Sequence, residues 1–150
     1  IELCTDIGSA GDPFPVGTVG VFMGCSYTDA TLGFVNRQYW PTGQVASDAL
    51  AFIVDDPQVA FQIQGDATMA QATLGMNAPL ANVQSTSTGS TATGNSNVAL
   101  DATAAATTGI AFRVIDFINA PGSEVGDAFT DVVVKFNPGS HSYTKNTGTA

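Results

Sequence analysis

Gln58-Val59-Ala60-Phe61-Gln62-Ile63-Gln64 decides the fold class of this chain. Alternation puts Val59, Phe61 and Ile63 on one face and Gln58, Ala60, Gln62 and Gln64 on the other. That is the period of a strand with one face in a core. Asp55-Asp56-Pro57 stands directly before it, and Pro57 pre-sets the φ angle of a tight turn. Upstream, residues 49–54 (Ala-Leu-Ala-Phe-Ile-Val) form a second run of β-formers. Downstream comes a polar turn at Gly65-Asp66, where Asp66 is placed to cap a short helical turn through about Leu74, with Gly75 as its stop. The block 47–80 therefore specifies an all-β core and holds no recognisable reaction centre.

The same reading extends in both directions. Residues 18–23 and 32–40 look like a strand pair joined by a polar link over 25–31. Residues 110–118 form a buried strand whose alternation slips near Ile115, which calls for a bulge or for burial on both sides. Asn119-Ala120-Pro121-Gly122 turns the chain. Residues 130–136 form the last clear strand, with Val132, Val134 and Phe136 inward and Asp131 and Lys135 outward. Residues 85–96 are Ser, Thr, Gly and Asn apart from Ala92, a low-complexity loop with nothing to bury. Asp101 could cap a further short turn over 104–107. The expected organisation is an extended N-terminal arm over 1–16, a β-rich domain over 17–139 and a flexible C-terminal tail over 140–150. Short strands with few helices imply an antiparallel β-barrel or sandwich with one or two short helical turns.

Bulk composition narrows the function. Hydrophobic residues make up 44% and charged residues only 11%, so the surface is wetted by neutral polar side chains. Such a surface loses little desolvation energy on docking against a protein. The net charge is −9, and the only bases are Arg37, Arg113, Lys135 and Lys145. Phosphate neutralisation needs clustered Lys and Arg, so direct nucleic-acid binding and anionic membranes are both disfavoured. No apolar run reaches the ~18 residues of a spanning helix. No signal peptide is visible from Ile1 onward, which leaves a removed leader open. Cys4 and Cys25 are too few for a disulfide framework, and reduced, packed thiols are favoured over a bond between them.

The residues for catalysis are sparse. His141, the single histidine, follows a turn in the expected tail, where a solvated side chain is a better reading than a catalytic base. Two Cys and one His, far apart in sequence, argue against a zinc site, and Asp55-Asp56 lacks the spacing of a calcium loop. Glu124 and Asp127 could be paired for glycoside hydrolysis, but solvated loop acids explain them better. Gly8-Ser9-Ala10-Gly11 and Gly17-Thr18-Val19-Gly20 are too short for a phosphate loop. No catalytic residue, metal or cofactor is assigned, and the chain is expected not to be an enzyme. Phe34, Tyr39 and Trp40 divide between core rim, subunit interface and ligand platform. Ile1, Leu3, Ile7 and Phe14 are too apolar for a free tail and should pack on the body or on a neighbouring subunit. With Tyr39 and Trp40 they are the interface candidates.

Five segments carry a family resemblance: residues 49–64 (Ala-Leu-Ala-Phe-Ile-Val-Asp-Asp-Pro-Gln-Val-Ala-Phe-Gln-Ile-Gln), Gly75-Met76-Asn77-Ala78, residues 94–101, Phe112-Arg113-Val114-Ile115, and residues 119–127 before a strand ending at Asn137. In order and rough spacing, from about Val19 to Asn137, the chain resembles the head decoration (capsid cement) proteins of tailed bacteriophages. The resemblance implies a non-enzymatic structural protein on the outer face of a DNA-filled head, assembled in the host cytoplasm. Its partners would be the major capsid protein and copies of itself, often as a homotrimer. The alternative is a binding module, an adhesin or carbohydrate-binding domain of a virion or cell-surface appendage, suggested by the Ser/Thr/Gly loops and Trp40. A small hydrolase using acidic residues ranks third.

Overall fold

In a computed structural model, residues 2–5, 18–81, 89–90, 92–104, 110–138, 141 and 144 are described. They form ten strands: β1 Glu2–Thr5, β2 Thr18–Asp29, β3 Gly33–Arg37, β4 Leu50–Val54, β5 Ala60–Gln64, β6 Asn77–Ala78, β7 Leu80–Ala81, β8 Ala99–Leu100, β9 Phe112–Phe117 and β10 Asp131–Phe136. One 3₁₀ turn, Gln71–Thr73, is the helical content among these residues. All ladders between these strands are antiparallel and, among the described residues, neither large sheet closes on itself, so the fold is all-β and open; the barrel alternative falls. No helix is long and apolar enough to cross a membrane among the described residues.

The core lies on one face of a sheet ordered β5-β10-β9-β6. Val132 stands between Ile63 and Phe117, Val134 between Phe61 and Val114, and Phe136 beside Phe112. Directly opposed residues share a face, so these form one apolar layer. Phe136 stacks on Phe112 at 4.9 Å and meets Phe61 edge-on at 5.6 Å. The opposite face is polar: Gln62 donates to Asp131 at 3.4 Å, and Lys135 to Gln58 at 3.4 Å. The slip expected near Ile115 is a bulge. Val133 pairs with Asp116 and Val134 with Val114, leaving Ile115 as the extra residue, exposed together with Asp116.

The first sheet is built on β2, which is a single twelve-residue strand. The expected polar link over 25–31 is therefore wrong. The hairpin turns only at 30–32, where Asp29 accepts from the amides of Thr31 at 2.8 Å and Leu32 at 2.9 Å. Ser26 and Thr28 are polar yet stay in the strand, because β3 pairs with both and β4 pairs with Ser26 from the other side. Phe22 pairs with both Glu2 and Ile53, and Ser26 with both Asn36 and Leu50. Hence β1 and β3 lie end to end along one side of β2, and β4 lies along the other.

The turn before β5 occurs where expected: Val59 donates to the Asp56 carbonyl at 3.2 Å and Gln58 to the Asp56 carboxylate at 2.8 Å. It carries the chain between sheets, since β4 pairs with β2 while β5 pairs with β10. The Asp66 expectation needs correcting. The 3₁₀ turn starts after Ala70 with no side-chain cap, and Asp66 accepts from the Ala102 amide at 2.8 Å instead. This strap holds β8 beside the end of β5, where Asp66 also donates its amide to Leu100 at 2.8 Å. Asp101 accepts from the Thr103 amide at 2.7 Å; most of the turn expected over 104–107 lies outside the described residues, as do 85–88 and 91 of the loop expected over 85–96.

Candidate interaction surface

The two faces of the first sheet differ. On one, Cys25 and Tyr27 point in the same direction as Val35, Arg37 and Ala51. Tyr27 is fully buried beneath Trp40, ring to ring at 5.0 Å. Arg37 donates from Nε to the Tyr27 hydroxyl at 3.0 Å and lies 5.8 Å from the Tyr39 ring centre. The Tyr27 hydroxyl, chiefly, raises the Arg37 pKa above its ordinary value. Cys25 is a buried free thiol, and burial pushes its pKa up against a smaller opposing effect of Arg37. Cys4 pairs with Gly20, five residues from Cys25 along β2. That is roughly 16 Å at strand rise, beyond the ~7 Å limit for a disulfide.

On the other face, Gly24 and Ser26 of β2 lie between large neighbours. Phe52 stands opposite Gly24, Leu50 opposite Ser26, and Phe34 opposite Thr28. Phe34 is 70% exposed, Leu50 64% and Phe52 51%. Leu32 at the hairpin tip is also exposed. Asp48, just before β4, accepts from the Thr28 hydroxyl at 2.6 Å and its amide at 3.1 Å, and these bonds hold its carboxyl below the ordinary range. Asp55 and Asp56 follow β4. An uncharged apolar strip thus runs along β4 and across to Phe34, with acids at both ends.

Trp40 is 42% exposed and packs on Tyr27, and Tyr39 is half-buried beside Arg37, so these two meet in one cluster. Leu3 lies in β1, opposite Val21, which makes part of the expected arm a strand of the body. Ile1, Ile7 and Phe14 lie outside the described residues. Asp127 accepts from the Glu124 amide at 3.0 Å and donates its own amide back to the Glu124 carbonyl at 2.9 Å, a closed turn. Among the described residues, no group of three or more His, Cys, Asp or Glu is placed to hold a metal.

His141 contradicts its expected solvated place. It is fully buried, with its ring edge-on to Phe136 at 5.0 Å. Burial lowers its pKa, while interactions with the backbone at Val19 and Asp55 and with the Asp55 and Asp56 carboxylates oppose the shift. Val19 belongs to the first sheet and Phe136 to the second, so His141 sits at their seam. Phe34, Leu50 and Phe52 as one strip were also missed. The Leu50–Phe52 alternation was visible, but the β2–β4 register that aligns them with Phe34 was not.

Comparison with protein-family models, with curated proteins and with solved structures finds no match to this chain.

Proposed function

We propose that this protein is a structural binder of the head decoration class, docking on the outer face of a tailed-phage capsid. The observation that carries the reading is the exposed apolar strip of Phe34, Leu50 and Phe52 on a sheet whose other face buries Cys25 and Tyr27. Large apolar side chains aligned on one sheet face are a signature of protein docking. The motifs spread over 49–64, 75–78, 94–101, 112–115 and 119–127 support the same class. The mechanism is mass action. Packaged DNA pushes outward on contacts between capsomers, and a ligand that binds only the assembled shell stabilises it. Copies joined as a trimer bind with high effective concentration, so each contact can be modest. A net charge of −9 keeps the ligand away from the genome.

The test is to add purified protein to heads lacking decoration. Saturable uptake and a rise in the temperature of DNA release are expected; no uptake by mature heads would refute the reading. A second reading, a glycan-binding module, is favoured by the half-exposed indole of Trp40 beside Tyr39 and Arg37. Glycan-array binding abolished by Trp40→Ala would support it over the first.

A further inference from the structure

We infer that the exposed side of β4 is a strand-addition site for a segment of another protein with an apolar centre and Lys or Arg at both ends. The inference rests on the binding role proposed above and names the surface and the partner's chemistry. Among the described residues β4 pairs with β2 alone. In an antiparallel pair every second residue turns its amide and carbonyl away from the partner strand. The outer edge of β4 therefore offers backbone donors and acceptors beside the exposed side chains of Leu50 and Phe52. The strand Leu50–Val54 contains no charge, no proline and no glycine, the composition that invites pairing with another chain.

Charge decides the occupant. Asp48 stands before this edge, and Asp55 and Asp56 stand after it. Asp48 is fixed there by both of its bonds to Thr28. An antiparallel second copy centred on Phe52 would set Asp48 opposite Asp56 at both ends. An in-register parallel copy would set Asp48 against Asp48 and Asp55 against Asp55. Like charges directly opposed are destabilising, so both self-pairings are disfavoured. A strand with basic ends meets an acid at each end. Area points the same way. Phe rings bury about 150–250 Å² each, so this strip falls well short of the roughly 800 Å² per partner of a stable pair. It suits a contact repeated many times on a larger surface.

The full-length protein is titrated with two synthetic peptides that share an apolar β-forming centre. One carries lysines at both ends and the other carries glutamates. Amide NMR shifts of Leu50–Val54 and fluorescence anisotropy report binding. The lysine-ended peptide is expected to bind at least tenfold more tightly at low salt, with the difference shrinking at high salt. The double variant Leu50→Thr, Phe52→Thr keeps β-formers on an exposed face, and should weaken that binding at least fivefold with an unchanged circular dichroism spectrum. Equal affinity for both peptides, or indifference to the double variant, would overturn the inference. So would a wild-type dimer in sedimentation that the double variant dissociates, since the occupant would then be a second copy. Peptide capture without uptake by phage heads would sink the decoration reading alone. Uptake by heads undiminished in the double variant would sink this inference alone.

Discussion

At the scale of single residues, His141 carries the clearest consequence. Its folded pKa lies below the unfolded value of 6.5, because burial penalises the charged ring more than its neighbours support it. The unfolded chain then binds more protons in this window. The stability His141 contributes is fully present above pH 6.5 and is lost as pH falls toward and through the lower folded value. Urea midpoints should therefore drop between pH 7.5 and 5, and His141→Gln should flatten that slope. The variant should also cost about 0.5–3 kcal/mol at pH 7.5 through lost packing on Phe136. Asp29 and Asp48 have lowered pKa values and act in a different window, losing their contribution only as pH falls below 3.8. Gly20 is a second such residue. A Cβ there would press into the Val54 carbonyl, so Gly20→Ala should cost about 1–3 kcal/mol in denaturant unfolding. Cys25 should resist thiol reagents in the native state and react on denaturation, measured in a Cys4→Ser background. None of these three roles was legible in the chain. Each depends on a neighbour distant in sequence: Val19 and Asp55 beside His141, the Val54 carbonyl over Gly20, and the Tyr39 carbonyl, which accepts from the Cys25 thiol at 3.5 Å.

At the scale of elements, the strands with one buried face were readable and those with two demanding faces were not. In β10, Val132, Val134 and Phe136 alternate with half-buried neighbours as the pattern requires. In β9 the broken alternation marked the bulge at Ile115. Deleting Ile115, the extra residue, should leave Val114 and Phe117 in phase on the core face and keep the sheet folded, whereas deleting both Ile115 and Asp116 should put them out of phase and unfold it. Thermal melts of the two variants would separate these outcomes. The length of β2 was misjudged because Cys25, Ser26, Thr28 and Asp29 lack an apolar period. They hold strand geometry because β3 pairs with all four and β4 completes the ladder on the other side of Cys25 and Ser26. Asp66 has the residue type of a helix cap, but the Ala102 amide is in reach and takes its carboxylate.

At the scale of the whole molecule, two open antiparallel sheets divide the labour. One buries the core behind Phe112, Val134 and Phe136, and the other presents Phe34, Leu50 and Phe52 outward. Truncating the core should therefore be costly where truncating the strip is not. Phe136→Ala should lose about 3–5 kcal/mol in denaturant unfolding. Phe34→Ser should stay near wild-type stability and show its effect in partner binding.

The amino-acid sequence by itself determined the all-β class, most strand positions in the second sheet, the turn at Asp56-Pro57 and the break in alternation near Ile115, which the β9–β10 register resolves as a bulge. These depend on period-two burial and on proline and glycine chemistry, which act over a few neighbouring residues. Only the tertiary structure decided that β4 and β5 leave each other for different sheets, that His141 lies at the seam between them, and that one face of β2 is lined by exposed rings. Register and sheet partnership arise from pairing between segments far apart in the chain. No local pattern encodes which of several compatible strands will win that pairing.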